Sequence, residues 1–556
     1  MIIKELKLRF GRTPGSPGES IEVTPVVIFV GPNNSGKSNA LNEIHKFCTL
    51  GEADTKNILN TITFTSPSPA QSLELIATVT TSLSESEKAH IPKVVKLKGG
   101  TLFDYNVFLE KTNAPNEINN RPFYCNVIVA PTTKLLNGQN RTTICNPQQI
   151  FDLLTPSSNS FQILFTNDAK REDVRRIIHD AFKRYFVLDP TMVGSLRIRL
   201  SPTAPDSHAT ERGLHDASLE FHKQAQLIDT ASDGIKAFTG IIVELIAGDP
   251  KVLIIDEPEA FLHPPLASKL GLEVARAAET SKKNVFVSTH SPAFLMGCVQ
   301  SGTPITIIRL TYRENIPTAR VLPSHEILEL MRNPLLRSSG VLSGLFYEFV
   351  VITESDADRA YYQEINERLL QYKPEWGIPN CLFIQAQNKQ TIPTIMAPLR
   401  KLGIPAAGIV DIDAIKDGGK TWTNLLTSAG VPEGIHNGLA GTRQTVKSYF
   451  EKSGKNMKID GGIEILKGQE LQTAKDLIEQ MNSYGVFIVP NGELESWMKD
   501  LDVRGHGPSW LISMFEKIGE DPNSQHYMKP SDDDVWLFMR GIRHWLNEPT
   551  RKGIPG

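Results

Sequence analysis

The sequence predicts an α/β protein with two successive alternations of strands and helices. Apolar runs that suit strands buried on both faces, such as VVIFV at 26–30 and VLIID at 252–256, are each followed by a helical pattern. A second alternation starts with YEFVVIT at 347–353, after a stretch at 322–346 that contains several prolines and glycines. Alternating strands and helices form parallel sheets, which bind ligands at the carboxyl ends of their strands.

Length and composition exclude several classes of protein. The chain has 556 residues, which at about 150 residues per domain suggests three to four domains. With 59 basic and 62 acidic residues the formal net charge is −3, which excludes a histone-like polycation but leaves room for a local basic channel. No apolar run reaches the ~20 residues of a membrane helix, and the N-terminus lacks a signal-peptide core. Five scattered cysteines without a C-x-x-C pair indicate reduced thiols. We expect a soluble, cytoplasmic protein with no membrane partner.

The first alternation is expected to open with a hairpin. Its strands, Ile2–Phe10 and Ile21–Val30, flank the turn segment RTPGSPG. Residues 51–210 have weaker patterns, with a helix near Arg171–Tyr185, and from Glu211 onward the pattern is helical and then alternates again. The strand candidates in 51–210 are SLELIATVT, YCNVIVA, FQILF and LRIRL, and the later ones are KVLIID, NVFVSTH and TPITIIRL, with a helix at 266–278.

A phosphate-binding loop is predicted between the strand VVIFV and the helical stretch that follows it. The segment fits G-x-x-x-x-G-K-[ST], in which backbone N–H groups close around phosphate. Lys37 is expected to reach the β- and γ-phosphates of ATP, and the Ser38 hydroxyl to coordinate Mg²⁺. The bland alternative is a glycine turn before a helix. The expected nucleotide-binding residues are Gly31, Asn33, Asn34, Ser35, Gly36, Lys37, Ser38 and Asn39.

Two further strand ends supply acidic and basic groups that suit ATP hydrolysis. In KVLIIDEP, Asp256 is placed to hold Mg²⁺ and Glu257 to orient the attacking water. A surface acidic pair is the alternative, but four apolar residues directly precede it. His290 ends the strand NVFVSTH and is expected near the γ-phosphate, against the alternative of a core or surface histidine.

A helix that opens with Ser232, Asp233 and Gly234 provides a candidate anion site. Serine and glycine at a helix N-terminus can bind an anion through backbone N–H groups, while a plain N-cap is the alternative. The order GPNNSGKSN, SDG, VLIIDEPEAFLHP and STHSP resembles ABC-type ATPases of the SMC and recombination-repair branch. The resemblance implies that Ser232 and Gly234 complete the ATP site of a second subunit, so it implies a homodimer. It also places Glu259, His263 and Pro264 in the sequence string DEPE…LHP of that family. The family also has a glutamine switch in its ATP site. We do not assign its position in this sequence, and Gln148 and Gln149 are the candidates.

The second alternation carries carboxylates at successive strand ends. Its strands are YEFVVIT, CLFIQA, AAGIV and GVFIV, with helices at 357–370 and 392–402. Because parallel strand ends converge, the acids should share one crevice, where divalent cations would offset their repulsion. Mg²⁺ or Mn²⁺ suits such oxygen ligands, and two ions could cleave a phosphodiester. For any single acid a helix cap or solvated loop is the alternative. The acids are Glu354, Asp358, Asp411, Asp413, Glu493 and Glu495.

This constellation resembles a Toprim domain, and an ATPase joined to Toprim is similar to the OLD (overcoming lysogenisation defect) family of nucleases. The Gabija defence nuclease and certain retron effectors are similar too. The resemblance implies that Glu354 and Asp358 serve one metal site, Asp411 and Asp413 the shared centre, and Glu493 or Glu495 the other. It also implies a downstream lysine near the scissile phosphate, for which Lys529 is the candidate. Ser355 stands where the family has glycine.

The resulting hypothesis is an ATP-hydrolysing, metal-dependent DNA endonuclease with an antiphage role. The ATPase domain would span 1–335, with a helical dimerisation insertion within about 51–210, followed by a Toprim domain at 345–500 and a helical segment at 501–556. The expected partners are DNA and further copies of the same chain, in a homodimer or higher homo-oligomer formed through the ATPase domain. A helicase, or a reverse transcriptase with its RNA–DNA, is the expected defence partner. The rival hypothesis is an ATP-gated sensor or toxin partner whose Toprim domain binds without cutting. A third hypothesis, a topoisomerase or primase, would share the Toprim chemistry, but the sequence contains no accompanying cleavage domain or zinc motif.

Overall fold

The computed structural model describes two compact units, which are treated separately below. The described residues are 1–52, 57–81, 83, 94–98, 100–154, 159–248, 250–313, 315–338 and 340–554. The first unit is Met1–Leu328 and the second is Glu329–Gly556. Parts of the predicted insertion, at 53–56, 84–93 and 155–158, lie outside the described residues.

Strands of the first unit alternate with helices, as the apolar runs predict. The strands are β1 (Ile3–Leu8), β2 (Ser20–Glu22), β3 (Val26–Val30), β4 (Leu59–Phe64), β5 (Thr80–Thr81), β6 (Val94–Leu97), β7 (Leu102–Asp104), β8 (Thr133–Leu136), β9 (Gln148–Gln149), β10 (Tyr185–Asp189), β11 (Ser195–Ser201), β12 (Gln226–Leu227), β13 (Val252–Asp256), β14 (Asn284–Ser288), β15 (Ile305–Arg313) and β16 (Ile316–Leu322).

Helices of this unit cover the central sheet and extend into the region 65–225. They are α1 (Lys37–Leu50), α2 (Pro69–Val79), α3 (Tyr105–Asn113), α4 (Arg121–Tyr124), α5 (Asn140–Thr143), α6 (Ser160–Thr166), α7 (Asp168–Phe182), α8 (His208–Arg212), α9 (Asp216–Gln224), α10 (Asp233–Val243), α11 (Pro264–Thr280), α12 (Pro292–Gln300) and α13 (Ser324–Arg332), which contains the boundary between the units. Short π-helical turns lie at Cys125–Val129 and Glu244–Gly248, and 3₁₀ turns at Ala130–Thr132 and Ile228–Thr230.

A six-stranded sheet forms the centre of the first unit. Its order is β16-β15-β3-β14-β13-β8, and every neighbouring pair is parallel except β15 with β16. All five residues of β3 are buried, which explains why its sequence is continuously apolar. The carboxyl ends of β3, β14 and β13 therefore lie side by side, with Asp256 opposite Ser288 in the register.

The predicted opening hairpin is confirmed in its first part only. β1 pairs antiparallel with β2, but the second run divides, and β3 joins the central sheet instead. Pro25 separates the two strands, so the chain can leave one sheet and enter another.

Three strand predictions in 51–210 are wrong, while LRIRL forms β11 and the predicted helix forms α7. SLELIATVT lies in α2, YCNVIVA in α4 and the π turn, and FQILF in α6. A local cap explains two of them: Ser68 makes a capping box before α2, with Pro69 at its first position, and Asn159 caps α6. The region is also less helical than expected, because it contains the antiparallel sheets β5-β6-β7 and β10-β11-β12.

The second unit is built on a four-stranded parallel sheet. Its strands are β17 (Phe349–Thr353), β18 (Cys381–Gln385), β19 (Ala406–Val410) and β20 (Val486–Ile488), in the order β18-β17-β19-β20. Its helices are α14 (Pro334–Ser338), α15 (Asp356–Tyr372), α16 (Ile392–Lys401), α17 (Lys420–Ser428), α18 (Glu433–Ser453), α19 (Gly468–Ser483), α20 (Pro508–Ile518) and α21 (Asp534–Asn547). The 3₁₀ turns are Val341–Phe346, Ile412–Lys416, Gly462–Ile465, Leu494–Ser496 and Lys499–Leu501.

The C-terminal helices are part of the core of the second unit. Trp510 of α20 and Trp536 of α21 are buried in the same apolar cluster as Phe349 of β17 and Tyr361 of α15. This burial fixes one face of the sheet, so its strand ends are held by packing from the tail. Along the described chain, none of the helices has both the length and the apolar composition needed to cross a membrane.

Candidate active sites

The phosphate-loop sequence forms a tight turn between β3 and α1. Gly36 caps α1 in the left-handed region with φ of 93°, and Asn34 also has a positive φ of 61°. The Lys37 ammonium is buried and donates to the carbonyls of Gly31 at 2.9 Å and Pro32 at 2.7 Å. Burial lowers the pKa of Lys37 to about 8, although nearby Glu257 and Asp256 oppose the shift. Ser35, Asn33 and Asn39 belong to the same loop and first helical turn.

The predicted magnesium-binding residues meet at the ends of β13 and α1. The Ser38 hydroxyl donates to Asp256 Oδ1 at 3.1 Å, and Ser288 Oγ also donates to that oxygen. Glu257, the next residue, has a left-handed backbone with φ of 50° and donates its N–H to the Ser288 carbonyl at 3.0 Å. This turn sends the chain away from the strand and leaves the Glu257 carboxylate half-exposed at the sheet edge.

His290 lies beside the two glutamates that follow Asp256. Its Nε2 is 3.7 Å from Glu257 Oε1, and its backbone N–H donates to Glu259 Oε1 at 2.7 Å. Burial lowers the pKa of His290, and the positive charge of Lys37 lowers it further. Burial also raises the pKa of Glu259, whose Oε2 is buried without a hydrogen-bond partner among the described residues. The structure thus brings Lys37, Asp256, Glu257 and His290 together at one sheet edge.

The candidate serine–glycine anion site is a helix N-terminus, as predicted. Ser232 is the N-cap of α10, and its exposed side chain makes no capping hydrogen bond within the described structure. Gly234 lies in the first turn, where a Cβ would come 2.6 Å from the Phe261 carbonyl. The free Ser232 hydroxyl is therefore not used as an ordinary cap.

The glutamine candidates lie away from the central sheet. Gln148 and Gln149 form β9, which pairs with β11 in the antiparallel sheet. Gln148 donates to Ile144 O, and its Oε1 accepts from the Phe161 N–H at 3.4 Å. Gln139, which we did not single out, is exposed just beyond β8 of the central sheet. The role stays unassigned.

The carboxylates of the second unit follow three neighbouring strands of its sheet. Glu354 follows β17, Asp411 and Asp413 follow β19, and Glu493 lies beyond β20. Glu354 Oε1 accepts the Asp411 N–H at 2.9 Å. Ligand oxygens of Glu354, Asp411 and Asp413 all lie within 4.8 Å of one another, so the structure brings these acids to one point.

Asp358 and Glu495 lie at the margin of this cluster. Asp358 Oδ2 accepts from Ser355 N at 2.8 Å and Ser355 Oγ at 2.7 Å, which forms the capping box of α15. The helix-cap alternative therefore applies to Asp358, even though its charge also faces Glu495. Glu495 Oε1 lies 2.6 Å from the Nδ1 of exposed His506, and Glu493, Glu495 and His506 form a second group of close ligand atoms.

Two lysines that the sequence analysis did not single out enter the acid cluster. Lys458 Nζ lies 2.8 Å from Asp411 Oδ2 and 3.0 Å from Glu493 Oε2. Lys389 Nζ lies 2.8 Å from Asp413 Oδ1 and 3.1 Å from Asp417 Oδ2. Lys458 lies in a loop that carries no motif, and Lys389 lies in the turn QNKQ that follows β18.

Lys529, the lysine candidate taken from the resemblance, has a different environment. Its ammonium lies 5.2 Å from the ring centroid of Tyr372. The contacts described for the acid cluster come from Lys458 and Lys389 instead.

Like charges and burial shift the protonation of the cluster in a common direction. Burial raises the pKa of Glu354, and the Asp411 charge raises it further. Burial also raises the pKa of Asp411, against the opposing effect of Lys458. For Lys458, burial alone would lower the pKa, but Asp411 and Glu493 raise it well above the usual range. Carboxylates this close to one another need a compensating positive charge. Mg²⁺ or Mn²⁺ could supply it, because both ions prefer oxygen ligands.

One family model matches part of the first unit. Residues 154–296 match the AAA_21 family, described as an AAA domain of the AbiEii-toxin type from a Type IV TA system. No curated protein matches the chain at a significant level.

Solved SMC head domains are similar to this chain. One, SmcHead bound to the C-winged helix domain of ScpA, is 15% identical, with a TM-score of 0.33 over 59% of this chain and 99% of that one. The SMC head domain from Thermotoga maritima is 14% identical, with a TM-score of 0.30 over 58% and 100%. An Smc head domain bound to the C-terminal domain of ScpA, from Pyrococcus furiosus, is 12% identical, with a TM-score of 0.31 over 60% and 99%. The AAA_21 match and the phosphate loop lie in the same unit, and together they support a P-loop ATPase domain there.

Proposed function

We propose that this chain is an ATP-hydrolysing, divalent-metal-dependent DNA endonuclease of the OLD type, with a Toprim nuclease domain in its second unit. The observation that carries the nuclease assignment is the convergence of Glu354, Asp411 and Asp413 at the carboxyl ends of adjacent parallel strands. Ligands bind at that edge of an open parallel sheet. An edge lined by half-buried carboxylates is suited to divalent cations and, through them, to phosphodiesters.

The residues of the first unit divide the work of ATP hydrolysis between them. Lys37 and the phosphate loop would bind the β- and γ-phosphates, while Ser38 and Asp256 would hold Mg²⁺. The bound Mg²⁺ would neutralise charge on the phosphate oxygens. Glu257 would orient the attacking water, and His290, 3.7 Å from Glu257, would face the same phosphate.

The residues of the second unit would hold the nuclease metal and the scissile phosphate. Glu354, Asp411 and Asp413 offer the closest oxygen ligands, and Glu493, Glu495 and Asp358 extend the set. Mg²⁺ or Mn²⁺ would stabilise charge on the attacking and leaving oxygens. Lys458 contributes a fixed positive charge within this set, whereas the role of Lys529 stays a prediction from the resemblance.

The exposed Ser232 hydroxyl supports assembly as a homodimer. Because that side chain does not cap its own helix, it can serve an anion that approaches the α10 N-terminus from outside. A second copy would bring such an anion as its bound ATP. An antiphage role, with a helicase or a reverse transcriptase and its RNA–DNA as partner, follows from the resemblance alone.

One observation favours the rival function, a Toprim domain that binds without cutting. Lys458 and Lys389 already pair with Asp411, Asp413 and Glu493, so the acids can be read as a neutralised structural network. In that case an ATP-gated sensor or toxin partner would use the second unit as a binding module.

A direct assay separates the two functions. The purified protein would be incubated with supercoiled, linear and single-stranded DNA, in Mg²⁺ or Mn²⁺, with and without ATP. Metal-dependent cleavage that disappears in EDTA supports the nuclease. Stable DNA binding without any cleavage, in every metal and nucleotide condition, supports the binding module.

A further inference from the structure

Arg141 is a buried arginine that contacts the backbone of the ATP-hydrolysis residues. It lies in α5, which follows β8 at the edge of the central sheet, and it is only 2% exposed. Its Nη1 donates to the Glu257 carbonyl at 2.5 Å and to the Asp256 carbonyl at 3.4 Å. The side chain thus reaches the backbone that carries both the metal-binding and the water-orienting carboxylates.

The backbone that Arg141 contacts is in an unfavourable conformation. Glu257 has φ of 50°, in the left-handed region that is unfavourable for a residue with a Cβ. Its N–H donates to the Ser288 carbonyl at 3.0 Å, and its C=O accepts from the Ala260 N–H at 3.1 Å and from Arg141. Such a conformation persists only where neighbouring groups determine it, and among these three hydrogen bonds the one from Arg141 comes from a side chain.

We infer that Arg141 is a positioning residue for ATP hydrolysis, which fixes the Asp256–Glu257 turn and so aims the Glu257 carboxylate at the attacking water. The inference rests on ATP hydrolysis by the first unit and is independent of any nuclease activity in the second. Arg141 itself would touch neither ATP nor water, because its described hydrogen bonds go to main-chain carbonyls.

An arginine suits this role better than a lysine. Both carbonyls are contacted by the same Nη1, whose direction is fixed by the planar guanidinium, whereas an ammonium is a point donor on a flexible stem. Burial lowers the pKa of Arg141, while the charges of Glu259, Glu257 and Asp256 oppose the shift. The cost of burying the Arg141 cation is therefore partly offset by these three neighbouring acids.

The close contact between Gly240 and the Arg141 carbonyl offers a second way to disturb the position of Arg141. A Cβ placed on Gly240 of α10 would lie 2.1 Å from the Arg141 carbonyl, so an alanine there must displace the α5 backbone. The substitution Gly240→Ala therefore disturbs the backbone of Arg141 from the α10 side and leaves the Arg141 side chain itself unchanged.

The test compares steady-state ATP hydrolysis with direct nucleotide binding in Arg141→Met, Arg141→Lys and Gly240→Ala. We expect Arg141→Met to lower kcat about 10- to 100-fold, which is less than the about 10²- to 10⁴-fold contribution of a positioned general base, because Glu257 itself is retained. The Kd of a fluorescent ATP analogue should stay within about twofold, since the phosphate loop is untouched. Arg141→Lys should recover part of kcat, and Gly240→Ala should lower kcat in the same way. Arg176→Met removes an arginine that is 55% exposed in α7 and serves as the matched control.

Combination with Glu257→Gln distinguishes positioning from general destabilisation. If Arg141 acts through Glu257, adding Arg141→Met to Glu257→Gln should lower kcat by less than about twofold more, because the two losses are not independent. A full multiplicative loss, or a single Arg141→Met variant with wild-type kcat, would overturn the inference. If Arg141→Met fails to fold by circular dichroism, Arg141→Lys and Gly240→Ala decide by the same criteria. A wild-type protein without ATPase activity would instead refute the ATPase assignment itself.

Discussion

The hydroxyl of Ser38 donates to Asp256 Oδ1 at 3.1 Å, although the two residues are 218 positions apart in the chain. The contact exists because β3 and β13 both pair with β14, which places their carboxyl ends at one edge of the sheet. A phosphate loop and an acidic strand end are thus joined before any ligand binds. We therefore expect some substitutions at this edge to weaken ATP binding and others to slow ATP hydrolysis without weakening binding.

Lys37→Ala and Glu257→Gln should give opposite binding phenotypes. Lys37→Ala removes the cation that faces the β- and γ-phosphates, so ATP binding should weaken at least about tenfold. Glu257→Gln keeps the loop intact and removes only the water-orienting carboxylate, so ATP should bind normally and trap a closed dimer. Fluorescent-nucleotide titration and light scattering measure the two effects. Near-wild-type hydrolysis by Glu257→Gln would contradict the assigned role.

Asp411→Ala and Asp413→Ala should abolish DNA cleavage and leave ATP hydrolysis largely intact. Each substitution removes an oxygen ligand from the tightest carboxylate group in the second unit. EDTA should have the same effect on cleavage, and Ca²⁺ should replace Mg²⁺ poorly because its looser coordination misplaces the reacting oxygens. Supercoiled-plasmid cleavage and phosphate release measure the two activities.

The matched control for these acids is Asp502→Ala, since the Asp502 side chain is 85% exposed and pairs weakly with Arg504. This variant should cleave DNA like the wild type. Continued cleavage by the Asp411→Ala, Asp413→Ala double variant, in a preparation shown to be free of contaminating nuclease, would remove the nuclease proposal and favour the binding module.

Lys458→Met and Lys529→Met should differ in their effect on cleavage. Lys458 lies 2.8 Å from Asp411 and 3.0 Å from Glu493, so its loss removes a positive charge from the phosphate-facing edge. We expect a loss of cleavage of at least about tenfold, with DNA binding weakened less. Lys529 contacts the Tyr372 ring instead. If Lys529→Met abolishes cleavage and Lys458→Met does not, the lysine that acts on the scissile phosphate is Lys529 and the role assigned to Lys458 is wrong.

The strand ends of both sites could be predicted from sequence, because each follows a continuously apolar run. The apolar run before each acid forms a strand, so Asp256 ends β13 and Asp411 directly follows β19, as the pattern predicts. Lys458 and Arg141 could not be found this way, since one lies in a loop and the other in a four-residue helix without periodicity. Their roles depend on which distant strand end lies beside them. Short apolar segments such as FQILF were assigned to the wrong element, because helix and strand patterns coincide over five residues and the cap at Asn159 decided the outcome.

Asp189→Asn should destabilise the first unit in a pH-dependent way. Asp189 is fully buried at the end of β10, and its Oδ2 accepts from Arg197 at 2.8 Å and Arg199 at 2.6 Å. Burial alone would raise the pKa of Asp189, but hydrogen bonds from Arg199 and Thr191 lower it to about 2. A depressed carboxyl pKa stabilises the fold by about 2 kcal/mol at neutral pH. That stability is complete above pH ~4 and is lost as the pH falls toward 2.

Thermal unfolding of the wild type and Asp189→Asn measures this effect. The difference in Tm should be constant from pH 7 to about pH 4 and should shrink below it. Asp173→Asn, which changes a 63%-exposed carboxylate in α7, should show no comparable difference. A Tm difference that grows as the pH falls would contradict the assigned pKa direction.

ATP should regulate DNA cleavage without supplying its energy. Phosphodiester hydrolysis is downhill in water and needs only activated water and metal. The nucleotide residues and the acid cluster lie in different compact units, so coupling must act through a shift between conformations that ATP favours unequally. We expect a non-hydrolysable ATP analogue to change the cleavage rate at least about threefold.

Ser232→Arg should cancel this change, because its bulk and charge at the exposed α10 N-terminus would block a second copy from presenting its ATP there. Thr230→Arg, two residues earlier on the exposed 3₁₀ turn, tests whether added charge alone has the same effect. Identical cleavage rates with no nucleotide, with ATP and with the analogue, on every form of DNA, would show that the two sites work independently.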